Sequence, residues 1–185
     1  PEFFIPGPSF PGQFYEFFLF PVNWIRRPVR PFADPADNPV REERRDKRET
    51  GASGPFVGRL LAGLKGRILD AGVGTGRNIP FYPKGSEMVG IDLSPAMLDR
   101  ARRRKGKLVT AVDLRQMNVM EMDFADGGFD AIVATFLFCV LDAEHQRPAL
   151  EELRRVCRPG GTIRILEYAV SEDPVRRFMM KLWAP

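Results

Sequence analysis

A glycine-rich loop is the part of the sequence best suited to bind a small molecule. An apolar strand leads into Asp70, and Gly72, Gly74 and Gly76 follow at every second position of the stretch ILDAGVGTGRN. Glycine has no Cβ, so the backbone can turn tightly and lie close to a ligand with its N–H groups exposed. The spacing predicts a ligand site directly beyond the end of a strand.

Two familiar glycine-loop sites do not fit this stretch. A loop for nucleotide phosphates ends in Gly-Lys-Ser or Gly-Lys-Thr, and neither ending is present in it. A dinucleotide fingerprint, G-x-G-x-x-G, would need glycine at position 77 or 79, where the chain has Arg77 and Ile79. Both phosphate-binding chemistries are therefore disfavoured.

Asp92 closes the next apolar strand, 22 residues after Asp70. A carboxylate at that place can accept hydrogen bonds from both hydroxyl groups of a ribose. Nicotinamide-binding domains use the same arrangement, so Asp92 alone does not identify the ligand. The alternative is that Asp92 only caps the end of its strand.

The spacing D-x-G-x-G-x-G resembles the first motif of the class I S-adenosylmethionine-dependent methyltransferases. Three later stretches, IDLSPAML, FDAIVATF and LRRVCRPGGTIRI, are similar to the family's second motif, its fourth strand, and its last helix, turn and fifth strand. The resemblance spans about residues 66–169. It implies an α/β fold with a Rossmann-like, doubly wound parallel sheet, S-adenosylmethionine as cofactor and S-adenosylhomocysteine as product.

The resemblance also implies which residues bind the cofactor. In the family an acidic residue after the third strand holds the adenine amino group; this chain has Asn118 there, whose carbonyl can also accept a hydrogen bond. Leu93 and Met97 would pack on the adenine or ribose, or else belong to the core. The implied cofactor site consists of Asp70, Gly72, Gly74, Gly76, Asn78, Asp92, Leu93, Met97, Asn118, Val119, Met120 and Thr135. No metal site is predicted.

The stretches GTGRNIPFYPKG and LFCVLD are similar to a subgroup of small, methyltransferase type 11-like enzymes that act on phospholipids, quinones or thiols. This similarity implies a small or lipid-like acceptor and suits a site at a membrane surface. The alternative is a catalytically silent subunit with a structural or assembly role in a larger complex. Asn118 and the lack of an evident base favour that alternative, whereas the intact loop and Asp92 oppose it.

No catalytic residue is assigned from the sequence. Methyl transfer from a sulfonium is an in-line displacement that chiefly needs alignment, and a base only if the nucleophile arrives protonated. His145 is expected on the surface and Cys139 has no basic neighbour in the sequence. Glu167 and Tyr168 would orient a substrate or simply end a strand. Three residues are expected to line the methyl-transfer cleft: Thr135, Phe136 and Phe138.

Strands alternating with helices are expected from residue 54 onward, which predicts a parallel sheet. Helices are predicted at 55–64, about 77–82, 94–105 and 143–157, and strands at 67–71, 88–92, 115–119, 129–136 and 162–169. The family's sheet has seven strands, so the two C-terminal strands are expected to be missing. A last helix is predicted at 175–183.

Residues 1–53 differ from the predicted methyltransferase domain at 54–185, being an arm rich in proline and phenylalanine followed by a charged linker. The apolar run at 14–25 is too short for a membrane-spanning helix. Through residues 3–32 the arm would enter a membrane interface, with Arg26, Arg27 and Arg30 on anionic lipid. Alternatively, its aromatic side chains dock on the protein's own body or on a partner subunit.

Composition sets further limits. A chain of 185 residues with 44% hydrophobic and 28% charged residues fits one globular domain. Cys139 and Cys157 form no C-x-x-C motif, which favours an intracellular protein, either cytoplasmic or peripherally membrane-associated. The net charge of +4 permits anionic partners. The catalytic half has no basic face interleaved with aromatic residues, so nucleic acid is a disfavoured partner.

Overall fold

The structure is a computed structural model and describes residues 4–6, 14–21, 54–106, 108 and 111–169. In chain order the main elements are β1 (Phe4–Pro6), β2 (Phe14–Pro21), α1 (54–61), β3 (Arg67–Ala71), β4 (Glu87–Asp92), α2 (Pro95–Lys105), β5 (Asp113–Gln116), β6 (Phe129–Thr135), α3 (Ala143–Val156) and β7 (Cys157–Ala169). Short 3-10 helices span Ile79–Phe81 and Phe138–Val140. Within these ranges every helix is too short or too polar to span a bilayer.

The strands form one sheet in the order β1-β2-β7-β6-β3-β4-β5. All neighbours from β2 to β5 pair in parallel, and β1 pairs with β2 in the antiparallel direction. Helices α2 and α3 connect parallel strands, as a doubly wound sheet requires. The predicted α/β, Rossmann-like fold is confirmed.

The core lies on both faces of the central strands. On one face, α3 contributes Ala149, Leu153 and Val156 to an apolar cluster with the sheet. On the other face, residues of α1 and Ala101 of α2 form a second cluster. Strands covered on both faces read as nearly continuous apolar runs, which is why β3 and β6 were recognisable in the sequence.

Three predicted elements differ from the structure. The fifth strand, expected at 162–169, is β7 and begins at Cys157, because Cys157 already pairs with Phe129 before the register shifts to Ala131 opposite Thr162. The helix expected near Arg77 is only a 3-10 helix at Ile79–Phe81, because the Asn78 side chain bonds elsewhere and does not cap it. The third strand, expected at 115–119, lies at Asp113–Gln116, after which the Met117 N–H bonds the carbonyl of Asp92 and the chain turns.

The N-terminal segment supplies one edge of the sheet. β2 pairs with β7 from Phe14 opposite Thr162 to Pro21 opposite Ala169. For these eight residues the structure shows backbone pairing with the protein's own sheet, and the docking of their aromatic side chains stays a prediction. β2 lies next to β7 and β1 lies next to β2. Two of the family's seven strands were expected to be missing from this chain, and β1 and β2 extend the sheet in addition to the five predicted strands. Residues 22–53, with Arg26, Arg27 and Arg30, and the helix predicted at 175–183 lie outside the described residues, and the division at residue 53 stays a prediction.

Candidate functional site

The glycine loop lies across the carboxyl ends of β3 and β4. The N–H groups of Gly72 and Val73 both donate to the carbonyl of Ile91, at 3.0 and 2.8 Å. These bonds hold the loop against the end of β4. Ligands of parallel α/β sheets bind at this edge.

The three glycines have positive φ angles but different surroundings. A Cβ on Gly72 would lie 2.9 Å from Leu137, and one on Gly76 would lie 2.6 Å from Ile79 and 3.1 Å from Ala101. A Cβ on Gly74, whose φ is 54°, would meet nothing closer than 4.0 Å. Gly72 and Gly76 therefore allow close packing within the protein, whereas Gly74 faces open space where a ligand can lie.

Asp92 lies directly beside this open space. Its Oδ2 accepts a hydrogen bond from the Gly74 N–H at 2.9 Å, and its Oδ1 accepts one from the Ser94 N–H at 2.9 Å. A carboxylate has about four acceptor positions, so two backbone bonds leave capacity for ligand hydroxyl groups. The structure thus brings together Gly74 and Asp92, which the sequence had separated by 18 residues.

Asp70 is completely buried and is bound by its own chain. Its carboxylate accepts hydrogen bonds from Asn78 Nδ2 at 3.0 Å and from the Tyr82 hydroxyl at 2.6 Å. Asn78 Nδ2 also donates to Thr135 Oγ1 at 3.0 Å. Three predicted site residues therefore form one buried network beneath the loop, and a direct contact between Asp70 and a ligand stays a prediction.

Burial dominates the electrostatics of this network. Desolvation raises the pKa of Asp70 to about 6, and the charge of Asp92 adds to the rise, while the bonds from Tyr82 and Asn78 oppose it. The pKa of Tyr82 is raised well above its usual range, first by burial and then by the Asp70 carboxylate. The sequence analysis missed Tyr82. Its signal was weak: a tyrosine in an apolar environment usually needs a partner for its hydroxyl.

The predicted adenine-side residues surround the start of α2 and the turn after β5. Leu93 is 63% exposed, one of two large hydrophobic side chains so exposed among the described residues. The Met97 N–H lies 3.4 Å from Ser94 Oγ, which caps α2. Asn118 Oδ1 accepts a hydrogen bond from the Met120 N–H at 3.0 Å. Gln116, which the sequence analysis missed, donates to the Leu93 carbonyl at 3.3 Å.

Val119 and Met120 pack against the core next to α3, Val119 being 9% exposed. Their predicted contact with adenine therefore stays a prediction. Leu93, in contrast, has an apolar surface that a flat ring would cover.

Residues 136–141, which follow β6, border the same end of the sheet as the glycine loop. Phe136 has a φ of 54°, the one non-glycine residue with positive φ in the described ranges. Its N–H donates to the Leu166 carbonyl at 2.8 Å, and the Phe138 N–H donates to Glu167 Oε1 at 2.7 Å. This side therefore takes its position from β7.

The candidate proton-transfer groups on this side are poorly suited to the role. Partial burial, followed by the Glu167 carboxylate, raises the pKa of the Cys139 thiol to about 12, so little thiolate forms near neutral pH. His145 lies in the first turn of α3, close to Asp142 and Glu144, with 42% of its side chain exposed. The side chain of Tyr168 lies outside the described residues.

The chain is similar in sequence to known methyltransferases. The profile of a family described as "Methyltransferase domain" matches residues 68–161. A phosphatidylethanolamine N-methyltransferase of Cereibacter sphaeroides is 43% identical over 105 residues, which are 56% of this chain and 51% of that protein. The human thiol S-methyltransferase TMT1B is 32% identical over 120 residues, 58% of this chain and 46% of that protein. The chain thus spans about half the length of these two curated relatives.

Solved structures share the fold. A SAM-dependent methyltransferase from Aquifex aeolicus superposes with a TM-score of 0.57 at 23% identity, covering 71% of this chain and 75% of that one. A protein from Pyrococcus horikoshii superposes with a TM-score of 0.58 at 23% identity, covering 76% of this chain and 61% of that one. The profile match includes the glycine loop, Asp92 and the Pro159-Gly160-Gly161 stretch in the first part of β7. The chain therefore belongs to the methyltransferase domain family and has the fold of the class I S-adenosylmethionine-dependent methyltransferases.

Proposed function

We propose that this protein transfers a methyl group from S-adenosylmethionine to a small or lipid-like acceptor. The open space above Gly74, bordered by the Asp92 carboxylate, is the observation that carries the proposal. Because Gly74 has no Cβ, a ligand can lie close to the backbone in this space, beside the Asp92 carboxylate. The residues present therefore fit S-adenosylmethionine, the cofactor of this family.

Several residues would hold the cofactor. Asp92 would accept hydrogen bonds from the ribose, the Asn118 carbonyl would accept one from the adenine, and Leu93 with Met97 would cover the apolar faces of the base. When bound, the cofactor supplies an electrophilic methyl group on a sulfonium. The chain's own contribution is to align the acceptor and to exclude water. Together these effects can supply most of the rate acceleration.

The acceptor class is supported by the relatives and by the chemistry of the side formed after β6. The names of the relatives are phosphatidylethanolamine N-methyltransferase and thiol S-methyltransferase. The segment after β6 is mostly apolar (FLFCVL, residues 136–141), with Val140 71% exposed. An apolar border suits an acceptor with an alkyl portion, because burying that portion is favourable.

We further propose that residues 3–32 contact a membrane surface or a partner subunit. Three arginines within residues 3–32 would attract anionic headgroups, each contributing roughly 1 kcal/mol near a charged surface. A lipid-like acceptor would make such a contact useful, since the substrate itself lies in the membrane. Binding to vesicles with and without anionic lipid tests this part separately.

Calorimetry with S-adenosylhomocysteine tests the cofactor site. We expect the unmodified chain to bind, and Asp92→Ala and Gly74→Val each to weaken binding at least tenfold, on the order of 1.4 kcal/mol. Gly63→Val is a matched control, because Gly63 has a φ of 73° and open space around it but lies in the turn after α1. Unchanged affinity in both site variants would contradict the assignment.

Methyl transfer is tested with vesicles of phosphatidylethanolamine and with a hydrophobic alkyl thiol as acceptors. Formation of S-adenosylhomocysteine with either one supports an enzyme. The rival is a catalytically silent subunit, which Asn118 favours because it stands where the family has an acidic residue. Tight cofactor binding without transfer to any offered acceptor would support the rival.

A further inference from the structure

The 3-10 helix Phe138–Val140 lacks a cap of its own. The residue at its N-cap position is Leu137, whose side chain has no hydrogen-bonding atom, and no local side chain caps the turn. A first-turn N–H without a partner inside the turn needs an acceptor from elsewhere. Glu167 of β7 supplies it, since its Oε1 accepts from the Phe138 N–H at 2.7 Å. A charge-assisted bond of this kind is short and strong.

The other end of the same turn is also held from outside. Gln146, in α3, donates from its Nε2 to the carbonyls of Phe138 and Leu141, both at 3.2 Å. One amide group thus satisfies two carbonyls at the C-terminal end of the turn. The turn is consequently held between β7 and α3 by two side chains from outside it, Glu167 and Gln146.

The residue just before the turn is in an unusual backbone conformation. A φ of 54° is rare for an aromatic residue, and such strain persists only where neighbours enforce it. The carbonyl of Leu166 accepts from the Phe136 N–H at 2.8 Å, and Cys139 Sγ donates to the Phe136 carbonyl at 3.2 Å. Leu166 and Glu167, adjacent in β7, therefore fix Phe136 and Phe138 respectively.

We infer that Glu167 is a positioning residue for methyl transfer: it fixes the acceptor-side wall, residues 136–140, and Gln146 supports the same wall from α3. This inference rests on the proposed function, because the wall borders the space where an acceptor would approach. In-line displacement is sensitive to displacements of about 1 Å, so a wall that loses its anchor lowers the rate without touching the cofactor loop.

The test compares Glu167→Ala, Glu167→Gln and Gln146→Ala with Glu151→Gln as control. Glu151 lies on the exposed side of α3 and pairs with Arg147, away from the wall. Phosphatidylethanolamine vesicles at saturating S-adenosylmethionine give kcat and KM. We expect kcat to fall about tenfold in E167A and Q146A, and only two- to threefold in E167Q, whose amide oxygen can still accept a weaker hydrogen bond. The affinity for S-adenosylhomocysteine should stay within twofold throughout.

Hydrogen exchange of the peptide covering residues 136–141 provides a readout independent of activity. Exchange should be faster in E167A and Q146A and unchanged in E151Q, because only the first two variants remove a cap. If E167A is too unstable to assay, E167Q and Q146A decide the matter. A kcat and an exchange rate equal to those of the unmodified chain would overturn the inference. If the unmodified chain binds S-adenosylhomocysteine but does not methylate the vesicles, the proposed acceptor is wrong, and the exchange data still decide whether Glu167 holds the wall.

Discussion

Burial and hydrogen bonding shift the pKa of the Asp70 carboxyl in opposite directions. Two donors, Asn78 Nδ2 and the Tyr82 hydroxyl, stabilise its charged form, but complete burial favours the neutral form more strongly. The result is a pKa of about 6, compared with 3.8 for an exposed aspartate. Such a group links the stability of the loop to pH.

The sign of that linkage follows from the direction of the shift. The folded chain holds the Asp70 proton more tightly than the unfolded chain does, so the free energy of unfolding falls as pH rises from about 4 to about 6. A shift of this size corresponds to about 3 kcal/mol, and the loss is complete above the folded-state pKa. Stability from Asp70 is thus greatest in acid.

We predict that Asp70→Asn removes the pH-dependent contribution of Asp70 to the free energy of unfolding. Thermal unfolding of the unmodified chain and of D70N, measured every half unit between pH 4 and 7, should give curves that diverge because only the unmodified chain loses stability through Asp70. Asp99→Asn, on the exposed surface of α2 beside Arg102, should keep the original slope. Parallel curves for the unmodified chain and D70N would show that burial does not shift this carboxyl.

Residue types and spacing predicted the two residues that border the open space. Gly74 and Asp92 were recognisable because both lie where a strand ends, and the topology of a parallel sheet brings such ends together. Tyr82 and Glu167 were different. Their partners, Asp70 and the Phe138 N–H, depend on side-chain directions in three dimensions, for which the linear sequence has no period or motif.

At the scale of elements, the side chain of Arg155 in α3 bonds several groups of the loop after β5. Arg155 donates to the carbonyls of Met122 and Phe124, both at 2.7 Å, and to Asp126 and Glu152. The planar guanidinium reaches these acceptors at once because its five donors are fixed in a fork. Arg155 therefore holds the segment that follows the predicted adenine-binding turn.

We predict that Arg155→Lys destabilises the protein by about 1 to 2 kcal/mol although the charge is kept, because a single ammonium cannot reach all four partners. Chemical unfolding should show this loss, and a melting-temperature decrease of roughly 3 to 8 °C should accompany it. Arg147→Lys is the matched control. Arg147 is 86% exposed and has one helical partner, Glu151, so little change is expected. An equal effect of both substitutions would contradict the role of the fork.

The bounds of three strands were predictable from the apolar runs that form them. β3, β4 and β6 have apolar runs, and their bounds were predicted to within one residue. β5 is short and mostly exposed, so it has no apolar run to mark it. The strand was predicted too far along the chain because Met117 and Val119, which are apolar, lie in the turn that follows. The short helix expected at about 77–82 is present as a 3-10 helix at Ile79–Phe81, and the side chain of its N-cap residue, Asn78, bonds Asp70 and Thr135 rather than the helix backbone.

For the whole molecule, the pairing of β2 with β7 was the feature that sequence patterns left open. The run FYEFFLF is aromatic at nearly every position, so its pattern did not select a face, and membrane insertion and self-docking remained equal alternatives. In the structure its backbone continues the sheet beyond β7, and β1 adds a further strand. This covering leaves β7 paired on both sides.

We predict that deleting residues 1–21 turns β7 into an exposed edge strand. Unpaired strand edges associate with one another, so light scattering coupled to size-exclusion chromatography should detect oligomers, and the melting temperature should fall. Deleting residues 1–12 removes β1 but keeps β2 on β7, so comparing the two deletions separates the loss of β1 from the loss of β2. A monomeric 22–185 chain with an unchanged melting temperature would contradict this role of β2.

The pairing of β2 with β7 also has a consequence for biosynthesis. Glu16 lies opposite Arg164, so about 150 residues must leave the ribosome after β2 before its partner strand exists. At bacterial and eukaryotic synthesis rates that interval is on the order of ten seconds. During this time the aromatic segment of β2 cannot pair with β7. We therefore expect nascent chains of this protein to bind chaperones that shield apolar segments.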